Sequence, residues 1–119
     1  MRFLIGFFIF DNMITPQQFR ELALSMPDAV EQPHFEATSF RVNKKIFATM
    51  HEDIARVCLM LTPEDQSVFC LHDKEVIYPV PNKWGQNGAT YVELGKVKHP
   101  EIVEDALQQA YNSKAKKSK

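Results

Sequence analysis

The alternation of apolar and polar positions along the chain marks three helical and five extended segments. In ITPQQFRELALSM, Phe19, Leu22, Ala23 and Met26 recur at helical spacing and form one apolar stripe. Thr15 stands as N-cap, Pro16 takes the first helical position, and Gln18 completes a Thr-x-x-Gln capping box. Ile14 and Phe19 are placed as a hydrophobic staple, and Pro27 closes the helix. A second start, LTPEDQSVFCLHD, sets Thr62 before Pro63, with Glu64 and Asp65 in the first turn where the helix dipole favours them. The third, HPEIVEDALQQAY, carries a stripe of Ile102, Val103, Ala106, Leu107, Ala110 and Tyr111. All three stripes read as core faces.

Extended segments fill the gaps. Residues 38–42 (TSFRV) and 45–50 (KIFATM) flank Asn43-Lys44, a two-residue hairpin turn because Asn accepts positive φ. That register sets Phe40 opposite Phe47. Residues 54–61 (IARVCLML) alternate, with Ala55, Val57, Leu59 and Leu61 on a core face and Ile54, Arg56, Cys58 and Met60 on the other. The second set is too apolar for open solvent and calls for cover by another element or a second subunit. EVIYPV and ATYVEL complete the strands. The order α-β-β-β-α-β-β-α with short connections predicts an α+β fold of two layers, an antiparallel sheet with helices on one side. No repeat or linker interrupts it, so residues 13–113 read as a single domain.

The last two strands are joined by PNKWGQNG, which holds the single tryptophan, Trp84, among polar and turn-forming residues. Two readings stand: a lid that folds back on the core, or a tip that touches something else. Gly85 and Gly88 would let the backbone turn and tuck the indole under, which favours the lid.

Composition changes this picture little. At 119 residues, 45% hydrophobic and 24% charged, the chain is an ordinary globular domain that can bury its own core. Cys58 and Cys70 make no disulfide framework and read as reduced thiols of the cytoplasm. Charge is uneven. The tail, residues 114–119 (KAKKSK), holds four lysines; without them ten basic residues face fifteen acidic ones, a net of −5. An acidic body is not the usual footprint of a strong nucleic-acid binder, and the tail reads first as a solvated, disordered end. The apolar run at residues 3–10 is far shorter than the ~20 residues of a membrane span. With only Arg2 ahead of it and Asp11-Asn12 behind, it makes a poor signal peptide. Since the first helix needs nothing before Met13, residues 1–12 read as an N-terminal extension.

The helix ending in SMPDAVE, the hairpin SFRV-NK-KIFA, CLMLTPEDQ, the loop PNKWGQNG leading into ATYVEL, and the closing EDALQQAY together resemble the MmcQ/YjbR family of small bacterial proteins. The likeness runs from about Ile14 to Tyr111. It implies a fold similar to that of type III secretion chaperones and DNA binding in a double-wing arrangement, with residues 40–50 and 76–94 as the wings. In the family pattern an aromatic often stands just before the last strand; here Ala89 occupies that place, so either Trp84 partly replaces that aromatic or the loop does a different job.

Basic residues fall where wings would use them. Arg41, Lys44 and Lys45 cluster at the first turn, and Lys83 sits beside Trp84 in the second: cations for phosphates and an aromatic plane for stacking. The plain alternative is that lysines occupy hairpin tips because tips are solvated. Metal chemistry has little support. His51-Glu52-Asp53 and Cys70-x-His72 lack helical i, i+4 or CxxC spacing, His34 reads as a turn residue, and His99 or Lys98 precedes Pro100 at the start of the third helix. No cofactor fingerprint appears, no phosphate-cradling glycine run and no nucleophile motif, and Cys58 lies in an apolar strand where a thiol is inert. The chain therefore reads as a non-enzymatic module that binds DNA through its hairpin tips. The alternative is a protein-interaction or chaperone-like dimer joined through the face of Ile54, Cys58 and Met60.

Overall fold

The computed structural model describes residues 13–115. The proposed extension at residues 1–12 and the end of the basic tail at 116–119 lie outside them. The elements follow in the order α1 (Pro16–Leu24), β1 (Val30–His34), β2 (Ala37–Val42), β3 (Lys45–His51), β4 (Arg56–Met60), α2 (Pro63–Phe69), β5 (Ile77–Pro79), α3 (Lys83–Gln86), β6 (Ala89–Glu93) and α4 (Pro100–Ala115). The strands form one antiparallel sheet of six in the order β1-β2-β3-β4-β6-β5. The α+β, two-layer expectation holds, with one strand and one short helix added.

The helices start as their capping sequences dictate. Thr15 Oγ1 accepts from the Gln18 amide at 3.0 Å while Gln18 Oε1 accepts from the Thr15 amide at 2.9 Å, a reciprocal capping box. Thr62 Oγ1 likewise accepts from the Asp65 amide at 3.1 Å and caps α2. Long α4 lies across β2, β3 and β4 and buries Val103, Ala106, Leu107, Ala110 and Tyr111. Phe19 of α1 packs edge-on against Phe40, and Tyr111 of α4 against Phe47. The core therefore lies between the helices and one face of the sheet, with Val57, Leu59 and Val92 fully buried at its floor.

The first hairpin departs from simple pairing. Asn43 and Lys44 both adopt positive φ, 53° and 67°, the conformation of a type I′ turn. Val42 pairs with Lys45 and Arg41 with Ile46, but Phe40 then pairs with Ala48, so Phe40 does not face Phe47. A bulge at Phe47 absorbs the extra residue. Phe47 and Ala48 are both fully buried, since a bulge turns two successive side chains the same way.

The strand expected over 54–61 is shorter. Residues Glu52–Ile54 form a 3-10 turn that ends at Ala55 in the left-handed region (φ 52°), and β4 begins only at Arg56. Ile54 is thus an exposed turn residue and does not share a strand face with Cys58 and Met60. Cys58 itself is covered by its own chain, in a small apolar cluster with Val80 and Ala89 flanked by Met60 and Tyr91.

Candidate functional site

Among the described residues α1, α2 and α4 pack on one side, which leaves the other face of the sheet without a helix across it. The register decides which residues point there: Thr49 pairs with Cys58, Cys58 with Tyr91, and Met60 with Ala89, all on the helix-free face. A cleft of about 820 Å³ opens over these positions. Its floor is apolar, built from Cys58, Met60, Ala89 and Ile46, with the Thr49, Tyr91 and His51 side chains adding polar groups. Burial pushes the Cys58 thiol up to about 11, against a weaker pull from its hydrogen bond with the Thr90 backbone. At neutral pH it is a packing group and a poor nucleophile.

Two aromatic side chains stand at the cleft's opposite rims. Phe35, at positive φ (58°) in the β1–β2 turn, is 95% exposed and meets the His34 ring edge-on at 4.8 Å. Trp84, 69% exposed, rises from α3 on the other side. The indole is therefore no core lid, contrary to the sequence expectation.

Local construction explains this. The Asn82 side chain accepts from the Trp84 amide at 2.8 Å and caps a single helical turn. Gly85 faces inward, and a Cβ there would lie 1.7 Å from the Val80 carbonyl oxygen, so only glycine lets the turn pack so close. Gln66 of α2 donates to the carbonyls of Gly85 at 2.9 Å and Ala89 at 3.0 Å, tying the turn at both ends. With residue 85 facing the sheet, its neighbour on a helix of 3.6 residues per turn points away from it.

The basic candidates gather at one end of the sheet. Because β3 and β4 run antiparallel, as do β4 and β6, the start of β3 and the start of β6 share an end. Lys44 and Lys45, exposed at the β2–β3 turn, and Lys83 and Trp84, just before β6, all belong to it. Asn43 Nδ2 donates to the Ala115 carbonyl at 3.0 Å, which brings the end of α4 and Lys114 to the same turn. Arg41 differs: it is half-buried on the helix-free face, and its Nε donates to Ser39 Oγ at 2.9 Å.

At the other end Arg56 Nε contacts Glu93 at 2.9 Å, its guanidinium lies 4.8 Å over the Tyr91 ring, and the Tyr78 hydroxyl donates to the same Glu93 carboxylate. That hydrogen bond, with partial burial, raises the Tyr78 pKa; for Arg56 partial burial opposes the charge, but Glu93 outweighs it and the pKa rises. Arg20 bridges Glu31 and Glu52 at 3.2 and 3.1 Å. His34 and His51 line the large cleft, whereas His72 and His99 line a smaller one of about 450 Å³ beside the start of α4. Among the described residues no group of three or more His, Cys, Asp or Glu could hold a metal ion. No described helix is long and apolar enough to cross a membrane.

Comparison with known proteins bears on this arrangement. The YjbR family profile matches residues 24–113, most of the chain. The fold is similar to that of a Deinococcus radiodurans protein with a DUF419 domain, at 20% identity and a TM-score of 0.76, over 89% of this chain and 82% of that one. It is also similar to a protein from Pseudomonas syringae, at 18% identity and a TM-score of 0.67, over 85% of this chain and 99% of that one. No functionally curated protein matches the chain.

Proposed function

The chain belongs to the YjbR family, and from that premise we propose that it is a non-enzymatic DNA-binding module of the cytoplasm, acting through the sheet end that carries Lys44, Lys45, Lys83 and Trp84. One observation carries the reading: Trp84 is held 69% exposed on a purpose-built turn beside Lys83, at the same end as the Lys44–Lys45 hairpin. An indole left in water costs folding free energy, because burying such a ring is among the largest apolar gains available. Lysines beside it supply phosphate contacts. Arg41, tethered to Ser39, is a supporting charge at the edge of this surface.

The test is fluorescence anisotropy of labelled mixed-sequence duplex DNA at two salt concentrations. Nonspecific binding falls in the micromolar range at moderate salt and weakens steeply as salt rises. Lys83→Ala and Lys44→Ala each weaken it for every sequence and flatten the log–log salt slope by about 1. An intact protein that fails to bind at low salt removes this reading.

A second reading is a protein-interaction module, favoured by the apolar cleft floor around Met60 between exposed Phe35 and Trp84. With Cys58 covered by Val80 and Ala89 and Ile54 set apart, the partner would seat on Met60 and the two rims. Light scattering tests the self-associating form: a dimer at micromolar concentration that Trp84→Ala dissociates supports it, and a monomer throughout removes it.

A further inference from the structure

The lysines and the cleft divide two kinds of chemistry between neighbouring surfaces. Among the described residues no lysine or arginine lines the cleft. Its wall and floor carry instead an exposed indole, apolar side chains, and neutral donors and acceptors at Asn82, Thr49 and Tyr91. The cations Lys44, Lys45 and Lys83 stand just outside, at the end where Ile46 and Trp84 enter the cleft wall. Phosphates outside and flat, hydrogen-bonding rings inside is the order in which a nucleic-acid strand presents its parts when its bases are unpaired.

A duplex cannot use such a site. Its base faces are stacked on one another, and its outer surface is phosphate, which matches a concave surface lined by cations. Here the concavity lacks them. An unpaired base has both faces free, and stacking on an aromatic side chain is tolerant of sequence because every base has a π-face. The volume of about 820 Å³ admits a base together with its sugar. An antiparallel sheet face bearing exposed aromatics is a physical solution to that problem. Glu36 stands at the far rim beside Phe35, so the phosphates run on the lysine side while the bases point inward.

We propose that the helix-free cleft is a binding site for unpaired bases of single-stranded nucleic acid, with Trp84 as the stacking plane and Lys83, Lys44 and Lys45 holding the flanking phosphates. The proposal rests on the DNA-binding reading and deepens it by naming the form of the ligand.

Trp84 is the single tryptophan of the chain, so intrinsic emission reports on the site directly. The full chain is titrated at one salt concentration with DNA of about 15 nucleotides as single strand and as duplex, and with single-stranded RNA of the same sequence, the length being set by typical single-strand site sizes. The single strand is expected to bind roughly tenfold more tightly than the duplex and to quench the indole, as one stacked base would produce. Followed by anisotropy of the labelled strand, since these variants have no indole to read, Trp84→Ala removes that advantage, while Trp84→Phe keeps most of it. The exposed position makes these variants safe for folding, which circular dichroism confirms. The DNA and RNA arms tell which strand chemistry is preferred, and quenching by either supports the site. Equal binding of single strand and duplex with unchanged emission overturns the proposal and leaves the DNA-binding reading standing. A single-strand preference that persists in Trp84→Ala overturns it too. Failure of every nucleic acid to bind overturns both, and dimerisation through this face would then account for the exposed rims.

Discussion

Gly85 and Trp84 show how one small residue sets the exposure of a large one. The α3 turn approaches the Val80 backbone so closely that a Cβ at position 85 would sit 1.7 Å from the carbonyl oxygen. That oxygen accepts from the Asn82 amide, the Val80 amide donates to the Ala89 carbonyl, and Gln66 donates to the Gly85 carbonyl, so neither side can yield without breaking hydrogen bonds. Gly85→Ala is therefore expected to destabilise the fold by about 3 kcal/mol, at the upper end of ordinary point mutations. A urea melt measures this, and Trp84 emission in the native state shifts with it. A loss under about 1 kcal/mol would mean the turn is pliant and the indole's position adjustable. Gly88 meets a second constraint, a φ of +113° beside the Leu61 carbonyl. The glycines of this loop were visible in the sequence, and they suggested a backbone free enough to fold the indole under. They serve the opposite end, because close packing of Gly85 turns its neighbour outward.

At the scale of elements, what the sequence revealed depended on whether an element was held by side chains or by backbone. The caps of α1 and α2 and the stripe of α4 are side-chain patterns, and each appears as read. Strand β1 is different. Four of its five residues are exposed, and Pro33, which lacks an amide donor, sits within it. It is an edge strand held by β2 through main-chain pairing, so no apolar alternation announced it. Helix α3 is a single turn, too short for any periodicity. The bulge at Phe47 is equally silent, since its cause is the packing of two adjacent side chains into one core. The site followed the same rule: lysines at tips were legible, whereas the cleft joins residues from β3, β4, α3 and β6 that only the register brings together.

The β2–β3 turn yields a prediction of its own. Lys44 holds φ 67°, a conformation that favours glycine, and the preferred second residue of such a turn is Gly. Lys44→Gly is expected to stabilise the protein by about 0.5–1 kcal/mol in urea denaturation, since it relieves the strained φ. The same variant is expected to weaken DNA binding, because a phosphate contact is lost. Stability and affinity moving in opposite directions would indicate that the lysine is kept for its charge. A variant that gains stability with unchanged affinity would place Lys44 outside the interface.

Over the whole molecule, charge works against a nucleic-acid ligand except at one end. The formal net charge is −1, and the four lysines of residues 114–119 conceal a body of −5. Such a body repels a polyanion at long range, so binding depends on a few local contacts and on low ionic strength. The end of α4 is tied to the β2–β3 turn through Asn43 and Ala115, which sets the last helical lysine, Lys114, beside Lys44 and Lys45. Lys116, Lys117 and Lys119 follow it in the chain. A chain ending at Ala115 keeps the Asn43 tie and Lys114 and removes only those three. If the folded end and the tail both contribute, truncation lowers the single-strand salt slope by about 2, at roughly 0.7 per phosphate contact, and leaves a residual slope from Lys44, Lys45 and Lys83. Quenching of Trp84 at saturating single strand is expected to be unchanged, because the tail supplies no ring. Affinity measured from 50 to 200 mM salt with both forms decides the matter. A truncated protein with no slope and no quenching would reduce binding to a lysine tail on an acidic body, whereas one that keeps its quenching separates the tail's attraction for phosphate from the cleft's recognition of bases.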